Sequence, residues 1–135
     1  MEKFINKLVE VEKRISKERG DFNFFGIFKR IDLDNAWDIL VSASWFSDQK
    51  KKHREDLVYI IKNIKEDFDD EDLRFLTTVV LVSSEDRIIK LLNKLINTQH
   101  NLVEFKDTKV GNINFKHFYV ITSIMRKTDT KKNNQ

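Results

Sequence analysis

Two aromatic, β-branched stretches, residues 22–31 and 37–46, stand only five residues apart, and no other feature of the chain narrows its fold as much. Runs rich in Phe, Trp, Ile and Val favour pleated, buried strands. A connection of five residues carrying Asp32, Asp34 and Asn35 suits a hairpin, so the two strands should run antiparallel. In the second run Trp37, Ile39, Val41, Ala43 and Trp45 fall on one face by the two-residue period, and Asp38, Leu40, Ser42, Ser44 and Phe46 on the other. The first face belongs to a core, and helices must cover it.

Around the hairpin the hydrophobic period becomes helical. From residue 2 to 19, Phe4, Leu8, Val11 and Ile15 form a stripe widened by Ile5 and Val9, which predicts an amphipathic helix. Gly20 stands at its C-cap after Lys17 and Arg19, cations suited to the negative end of the helix dipole. Ser47 or Asp48 is placed to N-cap a second helix, with Leu57, Ile60, Ile61, Ile64 and Phe68 on its buried face. Residues 75–82 form a short apolar run rich in Thr and Val, which predicts a strand buried on both faces near the middle of a sheet. Ser83 and Ser84 introduce a third helix, with Asp86 completing a capping box with Ser83 and Ile88, Leu92 and Leu95 turned inward, a face widened by Ile89, Leu91 and Ile96. Strands are expected at 102–106 and 117–124, with a Gly111-Asn112 turn between them. Phe115, Phe118, Tyr119 and Thr122 also fit a helical period, but β-branching at Val120, Ile121, Thr122 and Ile124 favours the strand.

The resulting order, α-β-β-α-β-α-β-β, predicts an α/β (α+β) domain over residues 1–125. Its core is a single mixed sheet of about four to five strands, with about three helices, in a two- or three-layer sandwich. Residues 126–135 read as a disordered basic tail. The chain carries 25 basic and 22 acidic side chains, of which the tail holds four and one, leaving 21 of each in the body. The sequence pI of about 9.0 therefore reflects the tail, and the neutral body offers no global counterion-displacing surface for nucleic acid. No cysteine is present, which excludes disulfides, a thiolate nucleophile and sulfur-ligated metals. No apolar run approaches the roughly 20 residues of a membrane span. A soluble, cytoplasmic protein with no membrane partner is expected.

Most chemical signatures are missing. Gly20, Gly26 and Gly111 are isolated, so no glycine-rich phosphate loop exists. His53, His100 and His117 lack metal-ligand spacing, so neither a metal nor a cofactor is expected. The one enzyme-like pattern is Glu104-Phe105-Lys106 on a predicted strand, an E-x-K triplet of the kind metal-dependent nucleases use to hold magnesium and water. Alternation puts Glu104 and Lys106 on one face, and Asp38 is the candidate second carboxylate.

The second helix breaks a physical rule. It opens with Lys50, Lys51, Lys52, His53 and Arg54 and runs out into Glu66, Asp67 and Asp69, placing cations at the positive end of the helix dipole and acids at the negative end. Two such helices packed antiparallel across a two-fold axis would set each basic end against the other's acidic end. The leading expectation is therefore a non-enzymatic protein-interaction domain that forms a homodimer or binds a protein partner. The alternative is a nucleic-acid-associated factor using the basic turn and tail, with a nuclease at Glu104 and Lys106 as its enzymatic variant.

Overall fold

The computed structural model describes residues 2–32 and 35–125, so the basic tail lies outside the described residues. Along the chain come α1 (Glu2–Arg19), β1 (Phe22–Lys29), β2 (Trp37–Ala43), α2 (Lys50–Asp67), α3 (Asp70–Leu73), β3 (Leu76–Leu81), α4 (Arg87–Leu95), β4 (Val103–Val110) and β5 (Ile113–Ser123). The fold is α+β, with one mixed five-stranded sheet in the order β3-β2-β1-β5-β4. Only β2 and β3 are parallel; the other neighbours are antiparallel. Parallel neighbours need a crossover, and α2 supplies it.

Three layers result. On one face, Phe4, Leu8, Val11 and Ile15 of α1 and Ile60 and Ile64 of α2 pack onto Phe25, Ile27, Trp37, Ile39, Val41 and Ile121 of the sheet. On the other, Ile89, Leu92 and Ile96 of the α4 segment meet Phe24, Phe28, Phe118 and Val120. The aromatic run of β1 is thus core on both sides, and β1 takes the centre. Gly26 lies where the layers are tightest: a Cβ there would stand 2.8 Å from the Phe24 ring and 3.1 Å from the Tyr119 carbonyl oxygen.

Three expectations need correction. Residues 75–82 are not central: β3 is an edge strand with Thr77, Thr78 and Val80 exposed. The hairpin already occupies the inner side of β2, so the crossover can only add β3 outside it, where one face of the strand packs and the other stays open. Secondly, α2 begins at Lys50 after Gln49, with no side-chain cap. Ser47 is engaged elsewhere, its N–H donating to Asp56 Oδ2 at 2.9 Å and its Oγ accepting from the Gln49 N–H. Thirdly, Asp86 is itself the N-cap of α4, accepting from the Ile88 N–H at 3.0 Å. With the helix starting there, Leu92 is buried as expected, together with Ile89 and Ile96 from the edge of the expected face, while Leu95 turns out to solvent and is 62% exposed.

Candidate interaction surface

The crossover helix lies against the sheet through Ile60, Ile64 and Phe68. Its neighbouring stripe, Tyr59, Asn63 and Asp67, faces α1 and is tied to it. Arg14 donates to Asp67 Oδ2 at 2.8 Å and to the Asn63 carbonyl at 2.9 Å, and the Tyr59 hydroxyl donates to Glu18 Oε2 at 2.5 Å. Further along, Lys3 pairs with Asp69 at 3.5 Å and Lys7 with Asp72. Asp69 also caps α3 through the Asp72 N–H. That backbone hydrogen bond, joined by Lys3 and Lys7, holds Asp69 below the usual carboxylate range.

Part of the acidic end predicted as a binding element is therefore neutralised within the chain: Asp67 and Asp69 anchor α1. Glu66, Asp70 and Glu71 remain exposed and form no ion pair among the described residues. The nearby Asp72 is nearly buried, and its hydrogen bond raises the Lys7 pKa above the ordinary lysine value.

The basic end is treated differently. Lys50, Lys51, Lys52 and Arg54 are exposed and have no ion pair among the described residues, and the first turn of α2 contains no acid. His53 is half-buried. It lines a cavity of about 250 Å³ at the carboxyl ends of β2 and β3, together with Ser44, Ser47, Asp48, Ser83 and Ser84. A hollow of about 460 Å³ adjoins it, reached by Lys50, Arg54 and Leu57. The lining is mixed: hydroxyls and the His53 ring stand with the carboxylates of Asp48 and Glu85, and the cations Lys50 and Arg54 line only the adjoining hollow. On the flank of α2 opposite α1, the 100° step of a helix brings Leu57 and Ile61 in line with Arg54, and Val58 beside them is 61% exposed.

The nuclease candidates do not come together. Asp38 pairs with Phe28 on the α4 face of the sheet, whereas Glu104 pairs with Tyr119 on the α1 face, with β1 and β5 between them. Burial pushes the Asp38 carboxyl up, and its Oδ1 has no hydrogen-bond partner. Glu104 instead meets His117 Nε2 at 2.7 Å, a contact that holds its carboxyl below the usual range. Burial and Glu104 together raise the Tyr119 hydroxyl. Lys106 is exposed beside this pair on β4. Among the described residues no group of three or more His, Cys, Asp or Glu side chains could hold a metal. Nor, among the described residues, is any helix long and apolar enough to cross a membrane.

The sequence reasoning missed one polar cluster. Glu12 is fully buried. Thr122 Oγ1 donates to its Oε2 at 2.7 Å and Ser16 Oγ at 3.2 Å, while His100 Nδ1 lies 2.6 Å from its Oε1. The signal was present: Glu12 stands four residues after Leu8 and three before Ile15, inside the apolar stripe of α1, where a charged residue needs internal partners. Neither a family model, nor a curated protein, nor a solved structure matches this chain.

Proposed function

We propose that this chain is a non-enzymatic cytoplasmic domain that works by self-association, with α2 as the contact element. The observation carrying this reading is the division of unpaired charge along one exposed helix. Among the described residues Lys50, Lys51, Lys52 and Arg54 at its start form no ion pair, and neither do Glu66 at its far end or Asp70 and Glu71 on α3 just beyond it, an excess of acid that the exposed Lys62 and Lys65 in the last turns reduce but leave in place. An antiparallel partner satisfies both ends at once, and it brings carboxylates to the uncapped helix start that attracts them. Leu57, Val58 and Ile61 supply the apolar centre that a charged rim alone cannot replace.

The test is a reversal cycle read by sedimentation equilibrium. Changing Lys50, Lys51 and Lys52 to Glu should weaken the dimer about tenfold or more, since exposed pairs contribute up to about 1 kcal/mol each and about 1.4 kcal/mol is a factor of ten. Reversing Glu66, Asp70 and Glu71 to Lys should do the same, and the combined variant should recover association. Independent, additive losses would refute the pairing.

The exposed cations of the same turn, Lys50, Lys51, Lys52 and Arg54, favour one competing reading, capture of nucleic-acid phosphates. The two separate cleanly, because reversing the acidic end should strengthen retention on DNA while weakening a dimer.

A further inference from the structure

The two edges of the sheet are built differently. Along β4, Glu104, Lys106, Asp107 and Lys109 place charges on the strand, and Asp107 adopts a left-handed backbone with φ of 47°. Charge and local distortion are the usual means by which an edge resists another strand. The opposite edge, β3, reads LTTVVL and carries no charged side chain and no glycine; its register against β2 shifts between Leu76 and Thr78 and is regular from Thr78 to Leu81. Among the described residues nothing pairs with its outer side. The Val82 N–H donates to the Val41 carbonyl at 2.9 Å, so alternation turns the N–H and C=O groups of Val79 and Leu81 away from β2.

We infer that β3 is the seam of the dimer: it pairs antiparallel with β3 of a second copy, joining two five-stranded sheets into one of ten strands. This rests on the self-association proposed above and adds the contact that orients it. Direction supplies the independent support. Because β2 and β3 are parallel and α2 is the crossover, α2 runs opposite to β3, with its basic start near the carboxyl end of that strand and its acidic end near the amino end. Antiparallel pairing of β3 about a two-fold axis therefore lays α2 antiparallel to its copy on the same face of the sheet. Lys50 and Arg54 of one protomer then lie toward Asp70 and Glu71 of the other. The backbone edge and the helix charges, two unrelated features, select the same symmetry axis and the same occupant.

Hydrogen exchange on the unmodified chain tests the seam without a substitution. The Val79 and Leu81 amides should exchange about tenfold more slowly once about nine-tenths of the chain is associated than in dilute solution, by mass action alone. Amides along β4 should keep their rates. A second measurement uses Val80→Lys, an exposed position between the two outward-facing amides, which brings the two copies of the new charge together at the two-fold axis and should raise the dimer dissociation constant about tenfold. Circular dichroism confirms that the variant folds. A dimer whose Val79 and Leu81 amides exchange at the dilute rate would overturn the seam while leaving association through α2 intact. A dimer protected at β3 but indifferent to the charge reversals would keep the seam and overturn the helix pairing. A chain that stays monomeric at every concentration overturns both.

Discussion

Replacing Glu12 by Ala should be among the most destabilising single changes in this protein. The side chain is fully buried between α1, β5 and the loop carrying His100, and it accepts or shares three hydrogen bonds. At about 1 kcal/mol each these amount to about 3 kcal/mol, and the lost burial of one methylene adds about 0.8 kcal/mol. The Thr122 and Ser16 hydroxyls and the His100 ring are left facing a void, so the total should be about 4–5 kcal/mol. For a domain of this size that corresponds to a fall of roughly 15–20 °C in Tm. Glu12→Gln is the informative companion. The amide keeps the volume and both hydroxyls can rotate to accept from it, so it should lose about 1–2 kcal/mol. Urea denaturation followed by circular dichroism measures both variants. A loss below about 1 kcal/mol for Glu12→Ala would refute the argument that this cluster ties α1 to the sheet.

Ile39→Ala, in the fully buried face of β2, should cost about 2–5 kcal/mol, while Val80→Ala on the open edge should cost about 1 kcal/mol or less because Val80 is 41% exposed; equal urea midpoints would place the core wrongly. Asp38→Asn should raise Tm at neutral pH. Burial lifts the folded-state pKa of Asp38 above its unfolded value, so its favourable contribution is complete in acid and disappears as pH rises through the folded pKa. The advantage of Asn should therefore shrink as the buffer is taken down through the carboxylate range, and a variant less stable than the parent at neutral pH would contradict this sign.

Periodicity made the fold largely legible. The helix over residues 2–19 and the hairpin of β1 and β2 appear where the pattern places them, because their buried stripes repeat over many residues. The 113–125 ambiguity resolves as strand, as β-branching indicated. What failed was context. A run such as 75–82 has the same composition whether one face or both are covered, and only the neighbour count of the sheet separates the cases; here the run is an edge. The charge inversion of α2 was plain in the sequence. Which acids α1 neutralises was not, because Lys3, Lys7 and Arg14 meet Asp69, Asp72 and Asp67 across more than fifty residues of chain. The separation of Asp38 from Glu104 likewise depends on strand order, which no local pattern encodes.

The most direct test of self-association is the mass of the unmodified protein by sedimentation equilibrium across a wide concentration range, at low and high salt. The proposed dimer should be reversible, with a dissociation constant that rises with ionic strength, because it would set the charged groups at both ends of α2 against their opposites across the axis. Twice the chain mass of 16.2 kDa should therefore be approached at low salt and lost on dilution. A single species at the chain mass, unchanged by concentration or salt, would contradict it.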